Sequence, residues 1–265
     1  MSKIALGDLA AVAVEAAYLA GRRTLAHFNT GVAVETKSDQ TPVTCADREA
    51  EEIIRGRIAR TYPNHAILGE EQGSSGGGAG GNDYRWIIDP IDGTKSFIHG
   101  VPLYGVLIGV EVNGEPSVGV IYMPALDEMV WAADGLGCWW NGRRARVSEV
   151  SKLEEATLLS SSVTTCQARS DTFDQLADKV KLTRTWGDCY GYLLVATGRA
   201  EIMIDPKLNP WDVAPMPPIL REAGGGFTTW SGGSSIHAGD GAAVNGQLLE
   251  PVRAILKAER KFARI

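Results

Sequence analysis

Asp89 and Asp92 stand three residues apart in Trp86-Ile87-Ile88-Asp89-Pro90-Ile91-Asp92-Gly93-Thr94, at the end of an apolar run. Pro90 stiffens the turn between them, and Gly93, which has no Cβ, lets the backbone approach a ligand. Thr94 opens a predicted helical turn, whose free N–H groups and positive dipole end suit an anion. One short turn thus offers acids for a metal and donors for a phosphate. Glu70 and Glu71 follow a second predicted strand, His65–Leu68, and Asp212 opens a predicted helix that runs to Ala223. All three clusters fall at element boundaries of the kind where open α/β sheets gather ligands. The donors are oxygens, with no His or Cys beside them in sequence, which selects Mg²⁺ or Mn²⁺ over structural zinc. Taken singly, Asp212 reads first as a helix cap and Glu71 as a solvated surface acid. Two acids flanking the Ile91 carbonyl are more than a turn requires.

The elements that must hold these residues are legible from periodicity. Leu9, Val12, Ala16 and Leu19 recur on one face of a helix over about 6–28. Residues 35–42 read as a loop or short hairpin. Thr44 can cap a second helix with Asp47 in its first turn and Ala46, Ala50, Ile54 and Ile58 on its buried side. Gly73 to Asn82, almost wholly Gly, Ser and Ala, reads as a flexible loop, a candidate flap between Glu71 and Asp89. Strands dominate from Leu103 to Trp140, with Asn113-Gly114 and Asn141-Gly142 as hairpin signals. Beyond Val150 the pattern alternates: a strand at Leu158–Val163, helices at Phe173–Val180 and Tyr190–Thr197, strands at Glu201–Ile204 and Ala242–Asn245, and a last helix. Pro215, Pro217 and Pro218 crowd the helix after Asp212, so that helix starts late or is kinked. The whole reads as a layered α/β architecture. One compact domain over 1–265 is expected, with an α+β half to about residue 150 and an α/β half over about 151–265.

Composition narrows the class. The chain has 265 residues, 44% of them hydrophobic, and 26 Lys+Arg against 32 Asp+Glu, a net charge of −6. There is enough apolar residue for a sizeable core, and the acidic balance argues against a general nucleic-acid binder. An anionic small substrate remains open, since a metal ion supplies local positive charge. Cys45, Cys138, Cys166 and Cys189 have no CxxC spacing, and the four histidines show no HExxH pattern. Reduced thiols in a cytoplasmic protein are the expectation. The apolar N-terminus is broken by Asp8 and Glu15 and lacks a signal-peptide pattern, and no run is long enough for a membrane span.

Trp86-Ile-Ile-Asp-Pro-Ile-Asp-Gly-Thr-Lys-Ser-Phe resembles the first signature of the inositol monophosphatase family. Gly69-Glu70-Glu71 lies where that family keeps an upstream acid. Asn209-Pro210-Trp211-Asp212-Val213-Ala214, followed by Glu222-Ala223-Gly224-Gly225, resembles its second signature. The resemblance runs from about Leu9 to Leu256. It implies an αβαβα sandwich, a Mg²⁺-dependent, lithium-sensitive phosphomonoesterase with two or three ions, and a homodimer. It implies Glu70, Asp89 and the Ile91 carbonyl at one metal, and Asp89, Asp92 and Asp212 at a second. Gly93 and Thr94 match the phosphate cradle, Asp47 with Thr94 the pair orienting the attacking water, Glu70 its base, and Lys37 a basic position nearby.

Substrate choice is expected in the second half. Gly187-Asp188-Cys189-Tyr190-Gly191-Tyr192 resembles the histidinol-phosphate phosphatases of the family, and Asp205 stands where the family places a substrate-contacting acid. Histidinol phosphate carries an ammonium and an imidazole, which Asp188 and Asp205 could pair. Asp188 reads equally as a cap of the following helix. Arg184 reads as a solvated residue, Tyr190 and Tyr192 as packing, and Trp139, Trp140 and Trp230 as core or dimer contacts. The alternatives are an inositol-1-monophosphatase with the same machinery, and a metal-binding scaffold without catalysis.

Overall fold

A computed structural model of the chain describes residues 4–77 and 83–258. The first layer is a helix pair, α1 (Leu6–Leu25) and α2 (Cys45–Thr61), joined through a hairpin of β1 (Val34–Thr36) and β2 (Pro42–Thr44). The α1 stripe that enters the core is Leu9, Ala13, Ala16 and Ala20. Leu19, expected on that face, is 42% exposed. Thr44 caps α2: its Oγ1 accepts from the Ala46 N–H, and Asp47 reaches back to the Thr44 N–H. Ala46, Ala50, Ile54 and Ile58 are fully buried, as their spacing predicts.

The second layer is an eight-stranded sheet. Its strands are β3 (Ala66–Gly69), β4 (Gly73–Ser75), β5 (Tyr84–Asp92), β6 (Gly105–Val112), β7 (Glu115–Met123), β8 (Glu128–Ala133), β9 (Gly137–Trp140) and β10 (Arg143–Arg144). Their order is β10-β9-β8-β7-β6-β5-β3-β4, antiparallel except for the parallel pair β3/β5. Residues 73–75, read as part of a flexible loop, form the edge strand β4 against β3. Residues 78–82 of that loop lie outside the described residues. After β5 comes a short helix, α3 (Thr94–Ile98).

A second sheet has the order β12-β11-β13-β15-β14, with β11 (Thr157–Leu159), β12 (Leu182–Arg184), β13 (Ile202–Asp205), β14 (Gly226–Thr228) and β15 (Gly241–Val244). Between the sheets lie α6 (Asp188–Ala196), α7 (Pro210–Val213) and α8 (Met216–Ala223). Outside the second sheet lie α4 (Val163–Arg169), α5 (Thr172–Ala177) and α9 (Leu249–Lys257). The strand expected over Leu158–Val163 ends at Leu159. Ser160, Ser161 and Ser162 turn the chain, and Ser162 caps α4 through the Thr165 N–H.

Three cores between the layers give the αβαβα order. One lies between α1/α2 and the large sheet, one between the sheets around α6 and α8, and one beneath α5 and α9. The middle core takes Ile87 and Leu107 from the first sheet and Met203 and Ala243 from the second. Trp230 is buried, whereas Trp139 and Trp140 stand at the edge of the first sheet with Arg144 and Arg143 over their rings. The helix after Asp212 is broken, as its prolines predict: α7 stops at Val213 and α8 restarts at Met216. The joint rests on paired glycines. Gly109 and Gly119 face one another across β6 and β7, and a Cβ on either would lie 2.5 Å from Ala214 Cβ or 2.2 Å from the Pro215 carbonyl oxygen. No helix among the described residues is long and apolar enough to cross a membrane.

Candidate metal centre and its cleft

Strand alternation puts the first acid in place. On β5, Trp86 and Ile88 enter the core under α1 and α2, while Ile87 enters the core between the sheets. Asp89 shares the Ile87 face and so looks toward the inner helices. The β5/β6 register shifts between Asp89 and Asp92, and the Ile91 N–H donates back to Asp89 Oδ1 at 3.0 Å. That kink turns Asp92 inward too: the Cys189 N–H at the start of α6 donates to Asp92 Oδ2 at 2.5 Å. Since β3 runs parallel to β5, Glu70 emerges at the same sheet end, with its N–H on the Ile88 carbonyl.

Asp212 arrives from the other side of the chain. On the short helix α7 it accepts the Asn209 N–H at 2.7 Å through Oδ2, so the capping role read from its sequence position is real. It is a convergent acid as well: Asp89, Asp92 and Asp212 each offer a carboxylate oxygen, all within 4.8 Å of one another. Gly93 follows at φ +83°, where a Cβ would meet the Leu103 carbonyl at 3.0 Å and Asp188 Oδ2 at 3.2 Å. Thr94 Oγ1 donates to the Ile91 carbonyl at 3.1 Å rather than to Asp47.

Asp47 is buried at the start of α2. Its Oδ2 accepts from both the N–H and the hydroxyl of Thr44, and its Oδ1 has no partner. Lys37, from the turn between β1 and β2, donates to Glu70 Oε1 at 2.8 Å and Glu71 Oε1 at 2.5 Å. Glu71 is therefore not the solvated acid its sequence suggests: its side chain is 8% exposed and ion-paired, to a lysine 34 residues away.

The electrostatics of this cleft call for a cation. Burial, then the charges of Glu70, Asp92 and Asp212, push the Asp89 carboxyl well above the usual range. Burial, then Asp188 and Asp212, do the same to Asp92. Burial, opposed by the Asn209 N–H, brings Asp212 up to about 7, with Glu70 and Asp188 adding to the rise. Burial brings Glu71 up to about 7 against the pull of Lys37. Burial works against charge on Lys37, but the bonds from Glu70 and Glu71 outweigh it and its ammonium is held protonated. Carboxylates crowded out of water raise the cost of one another's ionisation until a cation joins them. The all-oxygen donor set suits a hard divalent ion.

A cleft of about 400 Å³ holds Glu70, Asp89, Ile91, Asp92, Gly93, Thr94 and Asp212 together, with Lys95, Lys207 and Asp188 also on its walls. An inner pocket of about 200 Å³ shares Asp92, Asp188, Lys207 and Asp212 with it and continues to Ser161, Tyr192 and Asp205. Asp188 stands at the junction. It does not cap α6, because Gly187 occupies the cap position and no side-chain cap bond forms there. Its backbone is left-handed at φ +50°, and its N–H donates to Ser161 Oγ at 2.8 Å. Burial raises its carboxyl, opposed by Ser161 and Lys95. Asp205 is 3% exposed and fully engaged. Its Oδ1 accepts the Ser161 N–H, and its Oδ2 accepts the Ser161 and Tyr192 hydroxyls. Burial pushes its carboxyl up to about 7. Tyr192 is buried, as read, and Arg184 is exposed and donates to its neighbour's carbonyl.

Sequence reasoning missed Ser161 and Lys207. The three serines after an apolar strand were one available signal, and a lysine lodged between Asp205 and Asp212 was another. The site roles of Asp47 and Lys37 come only through the resemblance.

Known proteins resemble this chain in sequence and in fold. The model of the inositol monophosphatase family matches residues 6–261. The chain is 45% identical over 233 residues to a histidinol-phosphatase of Chlorobaculum parvum, covering 87% of this chain and 89% of that protein. It is 41% identical to a histidinol-phosphatase of Streptomyces coelicolor, covering 81% and 84%. Its fold superposes on an inositol monophosphatase structure from Anabaena with a TM-score of 0.85 at 31% identity, covering 98% of this chain and 99% of that one. With the profile matched across nearly the full length, the chain belongs to the inositol monophosphatase family.

Proposed function

We propose that the chain is a metal-dependent phosphomonoesterase that hydrolyses histidinol phosphate to histidinol and phosphate. The observation that carries this reading is the Asp188 carboxylate, free of any capping role, at the junction of the cleft and the inner pocket. A phosphate ester seated over Gly93 and Thr94 has the inner pocket for its organic half, and Asp188 there meets a cationic group. The relatives at 41–45% identity that carry the name histidinol-phosphatase support the same substrate.

Asp89, Asp92, Asp212, Glu70 and the Ile91 carbonyl would hold the divalent cations, Mg²⁺ first and Mn²⁺ as a substitute. When bound, such ions supply activated water and charge stabilisation on the leaving oxygen. The chain's own groups do the rest. Gly93 lets this tight turn form beside the phosphate site, because a side chain there would press on the Leu103 carbonyl and Asp188. Glu70, steadied by Lys37, serves as the base for the water proton. The unpartnered Oδ1 of Asp47 is an acceptor for that water, with the Thr94 hydroxyl as the second orienting group. Asp188 pairs the substrate ammonium. Asp205, with both oxygens already bonded, contributes negative field and holds Ser161 in place.

A panel of phosphate esters with Mg²⁺ tests this: histidinol phosphate, inositol 1-phosphate, 3′-phosphoadenosine 5′-phosphate and fructose 1,6-bisphosphate. The expected result is fastest phosphate release from histidinol phosphate. Preference for inositol 1-phosphate would overturn the substrate and leave the chemistry. Release from none would overturn the phosphatase itself in favour of a metal-binding scaffold.

A further inference from the structure

Outside the cleft, a thiol, an imidazole and a carboxylate converge at the junction of α1 and α2. His27 follows the end of α1, and Cys45 and Glu49 sit on the first turns of α2. Cys45 Sγ lies 3.8 Å from His27 Nδ1, and the opposite ring nitrogen, Nε2, lies 2.8 Å from Glu49 Oε2. The same Glu49 oxygen accepts from Arg23 Nε at 2.6 Å. The imidazole is thus gripped at its far side by an anchored carboxylate while its near side faces sulfur. α1 and α2 share a buried core, so the relay rests on a packed helix pair. Cys45 is exposed, whereas Cys138, Cys166 and Cys189 are buried.

The three side chains could also be read as donors to a soft cation. The contacts favour a proton relay instead. Sulfur and carboxylate use opposite nitrogens of one ring, whereas a single ion takes one nitrogen, and the Arg23 guanidinium already stands on the carboxylate. A base beside a thiol, oriented by a third group, is the arrangement that produces a nucleophilic sulfur.

We propose that Cys45 is an activated thiol and a site of reversible modification by low-molecular-weight disulfides, RSSR. The Cys45 sulfur attacks one sulfur of RSSR, so that the Cys45 S–S bond forms as the RS–SR bond breaks. The Cys45 proton passes to His27 Nδ1 and then to the departing RS⁻, which leaves as RSH, or to solvent when the leaving group is a weakly basic aromatic thiolate. Cys45 is oxidised and half of the disulfide reduced, and excess thiol reverses the exchange. The adduct sits one residue after Thr44, which holds Asp47.

The test uses the intact protein with glutathione disulfide and with an aromatic disulfide that releases a coloured thiolate, and mass spectrometry to locate the adduct. One equivalent reacts at Cys45, roughly tenfold or more faster than the same thiol in the urea-unfolded chain. Cys45→Ser removes that fast phase. His27→Ala and Glu49→Gln slow it while thermal melting confirms that both remain folded, and imidazole in the buffer restores the rate of His27→Ala but not of Glu49→Gln. Equal rates in the native and unfolded chain would overturn the proposal, as would a His27→Ala rate unchanged with or without imidazole. Stoichiometric protection of Cys45 by Zn²⁺ in the absence of any disulfide would overturn it in favour of a metal site.

Discussion

Asp188→Asn separates recognition of the organic half of the substrate from the chemistry at phosphate. Asparagine suits the position, because Asp188 is left-handed at φ +50° and Asn tolerates that backbone where Ala resists it. The substitution removes charge and little else. A hydrogen bond to a charged group contributes about 1.5–3 kcal/mol. Asp188 is only partly buried, so screening places it near the lower end, about 1.5 kcal/mol, or roughly tenfold in kcat/KM. A second effect acts on every substrate alike. The Asp188 charge, after burial, raises the Asp92 carboxyl, so its loss lets Asp92 ionise more readily and also weakens the field that draws cations. The measured quantity is therefore a ratio: kcat/KM on histidinol phosphate over kcat/KM on an aryl phosphate without a cationic group, both at saturating Mg²⁺. A roughly tenfold fall in that ratio is expected. Equal losses on the two esters would refute the assignment and make Asp188 a structural residue of the Ser161 turn.

Asp212→Asn keeps an acceptor for the Asn209 N–H, so the fold persists, while turnover falls by more than the roughly 10–100-fold typical of losing an outer-shell partner of a metal. Calorimetric Mg²⁺ titration and steady-state kinetics check it together. Gly93→Ala forces a left-handed L-residue, costing roughly 1–2 kcal/mol, and presses on Leu103 and Asp188, so Tm falls and every phosphate ester is hydrolysed more slowly. Asp47→Ala removes one half of the α2 capping box, and urea unfolding should register a loss of about 0.5–2 kcal/mol. For pH, Asp205, Asp212 and Glu71 are raised to about 7 in the folded chain, so between the ordinary carboxylate range and pH 7 the native state holds more protons than the unfolded one. Stability without metal then falls as pH rises through that window. A chelator-treated sample should melt higher at pH 5 than at pH 8, and Mg²⁺ should narrow the difference.

The legible parts of the fold were those whose signal is local. The kink of Asp89-Pro90-Ile91-Asp92-Gly93 is written in consecutive residues, and so are the Thr44/Asp47 cap and the break forced by Pro215 and Pro217. Glu71 was misread because its burial comes from Lys37, brought to it by a hairpin. Periodicity puts Leu19 on the buried face because apolar character alone does not show where the stripe ends, and alanines make up most of that stripe. β12 and β14 went unread because three residues carry too little period, and Gly224–Gly226 hides the start of β14. The Asp188 ambiguity between cap and ligand could not close from sequence, since only the backbone shows Gly187 in the cap position. Ser161 and Lys207 gain meaning only when two sheets bring the ends of β11 and β13 beside β5.

The joint between α7 and α8 lies main chain against main chain in the shallow trough left by Gly109 and Gly119. The seat of the joint, and with it the end of the short helix that carries Asp212, is consequently set by close packing of Ala214 and Pro215 on bare glycine backbone. A single methyl at either glycine would act as a shim beneath that joint. It would lift Ala214 and Pro215, and α7 with them, shifting Asp212 relative to Asp89 and Asp92 without changing any of the three carboxylates.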